Sequence, residues 1–341
     1  MYTIYDYLEF YKNKNSDLND IDYLLFSILS YLPIKEYTGK KNLKEFIDYS
    51  LKFKNNIKKG SMAEKAYELL DKINNSSRYS NLKVYNPVFI KNDNTQFGAL
   101  TFRIKNKTII SYKGTDGSYI GWIENFRIGY KFPTYTQELA LKYLEDNTNL
   151  FDRNIYLVGH SKGGNLAISS LYLSDNNLYN RIKKVYNFDG PGLRYKEFTS
   201  DRFNQINYKI NNYVPSGSMV GVLMDNKDYN VIKSNELAWK EHYPTSWQVF
   251  GEFFIPSTLS AASKKIHDSS TKNIRHLEYE KMENAFEQLY NTFGKEYDSS
   301  FRPNLNDFKR FFSNMKSIDP EIAKYLENVL NSLLNIKEKN K

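Results

Sequence analysis

The sequence predicts an α/β fold with a mostly parallel central sheet, helices on both faces and helical extensions at both ends. Three observations carry this. Short apolar runs alternate with helical patterns between about Val84 and Tyr243. Gly159-His160-Ser161-Lys162-Gly163 sits between one such run and an amphipathic stretch. The segments before and after that region keep a helical period. We read 1–341 as a single domain: a helical N-terminal extension over 1–80, a core over 84–243 and a helical C-terminal part over 244–341.

In order, helices are expected at Ile4 to Tyr11, Ile21 to Leu32 (capped by Asn19 or Asp20 and stopped by Pro33), Leu43 to Phe53 and Met62 to Ile73. Strands are expected at Val88 to Ile90, Phe97 to Ile104 and Thr108 to Tyr112, the last two joined by the polar turn Lys105-Asn106-Lys107. A helix from Gln137 to Asp146 leads into a strand at Asn154 to Val158, followed by a helix from Gly163 to Leu173. Further strands are expected at Lys184 to Phe188, Ile206 to Val214 and Tyr229 to Ile232. From about Thr245 the chain is expected to be mostly helical, with a loop at Ser299 to Pro303.

Composition narrows the function classes. The chain has no cysteine, which removes disulfides, thiol catalysis and cysteine-ligated zinc. His and carboxylate residues show no ligand spacing, so no metal or other cofactor is expected. The net charge of +9 is spread along the chain beside Asn and Tyr, so no nucleic-acid partner is expected. The lysine-rich end, Ile336 to Lys341, reads as a solvated tail. The N-terminus lacks the basic and apolar regions of a signal peptide, and no apolar run has the length of a membrane span. A cytoplasmic location is therefore expected.

G-x-S-x-G between a strand and a helix is the pattern of a nucleophile elbow, in which small flanking residues let the backbone turn sharply beneath an exposed serine. A serine hydroxyl needs a base, a group that orients the base, and donors for the oxyanion. Among His160, His242, His267 and His276, His242 follows the last expected strand and is the natural base. The bland alternative packs it on Trp239 or Trp247. Asp189, ahead of Gly190-Pro191-Gly192 at a strand's carboxyl end, gives the order Ser161, Asp189, His242 found in α/β-hydrolases. It is equally suited to capping that turn, and Asp225 and Asp228 are rivals. The Lys162 amide supplies one oxyanion donor and the Thr115 amide, after Gly114, the second. The Lys162 side chain opposes the helix dipole at a cost of about 0.3–1 kcal/mol. It is read as a surface lysine, with attraction of an anionic substrate group as the alternative.

Tyr112-Lys113-Gly114-Thr115, Gly121-Trp122-Ile123-Glu124-Asn125-Phe126 and Val158 through Ala167 together resemble the class 3 (fungal-type) lipases. More closely, the chain resembles an uncharacterised bacterial family of lipase-like α/β-hydrolases. That likeness takes in Tyr5 to Leu8, Asp22 to Phe26, Leu29 to Tyr31, Phe188 to Gly192 and Val231 to Trp247. The resemblance implies Ser161 as nucleophile, His242 as base, Thr115 and Lys162 as oxyanion residues, and a lid over Asp116 to Thr134. Tyr119, Ile120, Trp122, Ile123, Phe126 and Ile128 would then face an acyl chain or pack a fixed helix, with Trp122, Ile123 and Phe126 the substrate-binding choice. Fungal-type lipases carry their acid in a run like Asn211-Asn212-Tyr213-Val214-Pro215, where this chain has Asn212 in place of aspartate.

The expected function is a serine ester hydrolase, lipase- or esterase-like, acting on a lipid or small acyl ester. Peripheral membrane contact is compatible with such a substrate. The alternative is a catalytically weakened hydrolase-like protein that binds a lipid or a protein partner. Ser161 and His242 favour the enzyme, and Asn212 favours the binder.

Overall fold

In the computed structural model, which describes residues 1–55, 57–275, 277–293 and 305–327, helix formation begins where the sequence caps it. Thr3 and Asp6 form a capping box for α1 (Ile4–Tyr11). For α2 (Asp20–Leu29), the Asn19 side chain accepts from the Ile21 amide and the Asp22 carboxylate accepts from the Asn19 amide. Every residue of α2 from Ile21 to Leu29 is buried. Asp22 is held inside by the Arg78 guanidinium at 2.5 and 3.0 Å and by the Tyr79 hydroxyl. These partners satisfy a charge that would otherwise be costly to bury. The short strand β1 (Lys40–Asn42) then leads into α3 (Leu43–Leu51), and α4 (Met62–Asn74) follows.

Three antiparallel strands come next: β2 (Lys83–Lys91), β3 (Gln96–Ile104) and β4 (Lys107–Tyr112). From β4 onward the pairing is parallel. Helices α5 (Tyr119–Tyr130) and α6 (Tyr135–Asp146) cross to β5 (Ile155–His160), and α7 (Lys162–Leu173) and α8 (Asn176–Arg181) to β6 (Ile182–Phe188). Then α9 (Tyr195–Phe198) and α10 (Asp201–Ile206) cross to β7 (Ile210–Pro215), beside which lies β8 (Tyr229–Ile232). The eight strands lie in sequence order, giving a mostly parallel sheet covered on both faces, the arrangement of an α/β-hydrolase.

Alternation along the strands splits the core in two. Tyr156 and Val158 of β5, with Tyr186 and Phe188 of β6, face the cluster built on α1 to α4. Ile155, Leu157 and Val185 face the cluster of α6 and α7. The N-terminal helices thus share an apolar cluster with the sheet.

Two expectations are corrected. The segment expected as a strand from Ile206 begins as helix: the Ser200 hydroxyl caps α10, Asn207–Lys209 makes a further turn, and β7 starts only at Ile210. The segment after Thr245 is not helical at once. It forms a hairpin of β9 (Val249–Phe250) and β10 (Phe253–Phe254), turning where Gly251 takes φ +61°. Helix resumes at α11 (Ala261–Ile274), followed by α12 (Tyr279–Phe293) and α13 (Leu305–Ile318). The expected loop at Ser299 to Pro303, the lysine-rich tail and His276 lie outside the described residues.

Candidate active site

The turn between β5 and α7 puts Ser161 at φ 57° and ψ −131°, a conformation that costs a non-glycine residue about 1–3 kcal/mol. The surroundings impose it. The Ser161 amide donates to the Phe188 carbonyl at 2.9 Å, and the Gly164 amide donates to the Ser161 carbonyl at 2.9 Å. The glycines are needed for close approach. A methyl group at Gly163 would lie 2.1 Å from the Tyr112 carbonyl oxygen, and one at Gly159 would lie 2.1 Å from the Gly163 carbonyl. Ser161 is 8 % exposed, and among the described residues its hydroxyl makes no hydrogen bond.

His242 ends a short turn, Ala238–His242, that is pinned from beneath. The buried Trp247 indole donates to the Glu241 carbonyl at 2.8 Å, and the Glu241 carboxylate accepts from the Gly217 amide at 2.8 Å. Trp239 meets Tyr243 edge-on and Trp247 meets Phe188 and Phe254, and among the described residues neither tryptophan stacks on His242. Instead, His242 Nδ1 lies 2.6 Å from Asp189 Oδ2.

Asp189 is fully buried, directly after β6, at φ 50°. Its second oxygen, Oδ1, accepts from the Ser218 hydroxyl at 2.5 Å and the Gly221 amide at 3.0 Å. With that oxygen fixed, the other is aimed at the imidazole. A carboxylate accepts, so Nδ1 of His242 carries a proton, which leaves Nε2 of the neutral ring as the basic nitrogen.

Neither rival acid bonds to His242 among the described residues. Asp225 pairs with Arg275 at 2.5 Å, and Asp228 is exposed, directly before β8, at φ 49°. Asn212 accepts from Asn187 at 3.0 Å and donates to the Lys227 carbonyl at 2.8 Å, bracing neighbouring strands. His267 bonds to the Val222 carbonyl at 3.0 Å.

Neither the Thr115 amide nor the Lys162 amide finds an acceptor among the described residues, as an oxyanion donor requires. The Lys162 side chain corrects both sequence readings of it. It is 1 % exposed and turned into the protein, where Nζ donates to the Gln96 carbonyl at 2.5 Å and to Gln96 Oε1 at 2.8 Å. Burial lowers its pKa to about 8, against the raising effect of Glu124 and Asp116. It is neither a surface lysine nor a free cation for an anionic substrate.

The segment read as a lid holds α5, which packs on Thr115. The Thr115 hydroxyl donates to Asn125 Oδ1 at 3.1 Å, and a methyl group at Gly121 would lie 2.7 Å from the Thr115 methyl. Ile123 is buried with Tyr119 and Ile120, Phe126 stacks on Phe286 at 5.6 Å, and Trp122 is 38 % exposed. From the other side α12 grips the helix. Arg127 bonds to Glu287 at 3.0 and 3.3 Å, Tyr130 to Glu287 at 3.1 Å and Lys131 to Glu283 at 2.8 Å.

A family model described as Mbeg1-like matches residues 73–291, well over half of the chain. The chain belongs to the Mbeg1-like family. The match to the Mbeg1-like family runs from the end of α4 into α12 and includes Thr115, Ser161, Asp189 and His242, whereas α1 to α3 lie outside it. A solved structure titled "Crystal structure of M37 lipase" is 18 % identical, over 59 % of this chain and 67 % of that chain, with a TM-score of 0.36. No curated protein sequence matches the chain. Sheet order and the strand–elbow–helix turn give this Mbeg1-like chain an α/β-hydrolase fold. Among the described residues no helix is long and apolar enough to cross a membrane, and no group of His, Asp and Glu has the arrangement of a metal site.

Sequence reading missed Ser218, Gly221, Gln96 and Tyr31, all of which touch site residues. No local pattern marks them, because each reaches the site through tertiary packing.

Proposed function

We propose that this protein is a serine hydrolase of carboxylic esters, acting on a lipid or another acyl ester. The observation that carries the reading is the 2.6 Å contact of His242 Nδ1 with buried Asp189, on the same sheet edge as a serine held at positive φ. In this reading the Ser161 oxygen attacks the ester carbonyl while His242 Nε2 takes the hydroxyl proton. The Thr115 and Lys162 amides stabilise the tetrahedral oxyanion. The carbon–oxygen bond to the alcohol breaks as His242 returns the proton to the leaving oxygen. Water, deprotonated by His242, then releases the acid from Ser161. Asp189 fixes the imidazole tautomer and stabilises the imidazolium. Hydrogen bonds from nucleophile to base commonly tighten only with substrate bound, which fits a Ser161 hydroxyl without a partner here.

Trp122, Ile123 and Phe126 on α5 are proposed to border the acyl chain, next to Thr115, and the substrate makes peripheral membrane contact a corollary. The alternative of a silent binding protein rested on Asn212. With Asp189 on His242, the enzyme reading is the better supported.

Hydrolysis of p-nitrophenyl esters of increasing chain length by the wild type and Ser161→Ala tests the proposal. Turnover by the wild type and its loss in the variant are expected. Equal turnover by both proteins refutes it.

A further inference from the structure

His160 precedes the elbow serine, is 1 % exposed, and has both ring nitrogens engaged. Nε2 lies 2.8 Å from the backbone carbonyl of His242, and Nδ1 lies 2.9 Å from the Tyr31 hydroxyl. A carbonyl only accepts, so Nε2 carries the proton. The lone pair on Nδ1 then accepts the tyrosine O–H. Burial, then the neighbouring His242, hold the His160 pKa well below the ordinary value, so the ring stays neutral 4.5 Å from the His242 ring. A second imidazolium there would oppose charge developing on the base.

Tyr31 comes from the turn after α2, ahead of the family match. Burial raises its pKa and keeps its hydroxyl protonated. The hydroxyl lies against Gly114, where a methyl group would come within 1.9 Å of it and within 2.6 Å of the His160 carbonyl. One side chain from the N-terminal helical layer therefore touches the residue before Thr115 and, through His160, the backbone of His242.

We infer that Tyr31 and His160 are positioning residues that hold the His242 loop in register with the elbow, so that the N-terminal layer completes the catalytic site. This rests on the proposed hydrolase reading. His160 does not meet substrate; it fixes the backbone from which the base projects. Displacement of a reacting group by about 1 Å costs about 100-fold in rate, and loss of this tether acts on the reacting step.

The test combines kinetics with a spectroscopic readout on the full chain. His160→Phe keeps the ring volume and removes both nitrogens, His160→Gln keeps a donor, and Tyr31→Phe removes only the hydroxyl. With a soluble short-chain ester, His160→Phe is expected to lower kcat about 10- to 100-fold with KM changed by less than about twofold. His160→Gln should recover most of the loss, and Tyr31→Phe should show a smaller fall in kcat. Full kcat in folded His160→Phe, or a loss confined to KM, overturns the inference. If His160→Phe fails to fold, Tyr31→Phe decides by the same split.

Independently of turnover, long-range 1H–15N spectra of the four histidines report the tautomer of His160. An Nε2–H tautomer at neutral pH, as the His242 carbonyl requires, supports the link. An Nδ1–H tautomer contradicts it. Ser161→Ala separates the two readings. An inactive Ser161→Ala beside a fully active His160→Phe leaves the nucleophile standing and removes the positioning role. An active Ser161→Ala refutes the hydrolase reading, and the tautomer still decides the tether.

Discussion

Lys162 and Gln96 join the elbow to the start of β3. The lysine ammonium donates to both the backbone carbonyl and the side-chain oxygen of Gln96, at 2.5 and 2.8 Å. The residue whose amide is assigned to the oxyanion thus turns its charge away from substrate and into the sheet. Gln96→Leu leaves a buried ammonium with one acceptor fewer. A destabilisation of about 1.5–3 kcal/mol is expected, the scale of a hydrogen bond to a charged group, measured by denaturant unfolding at pH 7. No loss of stability would mean that Lys162 finds other partners.

Burial also lowers the Lys113 pKa from 10.5 to about 8, with Lys91 and Lys162 lowering it further and Asp116 opposing. Between about pH 8 and 10.5 the unfolded chain then binds more protons at this site than the folded one. Stability from this residue rises with pH through that window, and is lost as pH falls from 10.5 to about 8. Lys113→Met should therefore be more stable than wild type at pH 7, and its advantage should shrink toward pH 10.5. Unfolding curves at both values check this, and a constant difference contradicts it.

The two candidate acids separate by exchange of their side chains. Asp189→Asn should lower kcat by about 10³- to 10⁴-fold, because an amide supports the wrong tautomer and does not stabilise the imidazolium. Asn212→Asp should leave kcat unchanged and cost about 1–3 kcal/mol, because it sets a carboxylate oxygen against the Lys227 carbonyl, where an amide now donates. The opposite pattern would assign the acid to Asn212's position.

Glu287 receives Arg127 and Tyr130 of α5 together. Removing it in Glu287→Ala should loosen the helix that packs on Thr115. Hydrogen–deuterium exchange should speed up across Tyr119–Tyr130 and stay unchanged in β5 and β6. Unaltered exchange in α5 would show that aromatic stacking on Phe286 is sufficient to hold it.

How much of this was legible in the sequence depends on the range of the interaction that fixes each part. The elbow, the cap of α2, and the strands from β3 to β6 follow from local patterns, and their limits agree with the sequence reading to within a few residues. The positions of Ser161 and Asp189 were legible because each directly follows a strand of the sheet, β5 and β6. The start of β7 was misread because Ile206 and Phe203 look alike in strand or helix, and the Ser200 cap decides. The hairpin at Gly251 was missed because its strands are only two residues long. Lys162 was misread because its burial depends on Gln96, 66 residues earlier. The role of Tyr31 was not legible for the same reason, since nothing near it in sequence signals contact with His160.

Whether Ser161 is an armed nucleophile is tested most directly by reaction with a fluorophosphonate followed by peptide mass spectrometry. The serine oxygen displaces fluoride from phosphorus only when a base takes its proton. The account predicts a single phosphonylated site at Ser161, absent in Ser161→Ala and strongly slowed in His242→Ala. A folded wild-type protein in which Ser161 stays unlabelled, or labels equally fast without His242, would contradict it.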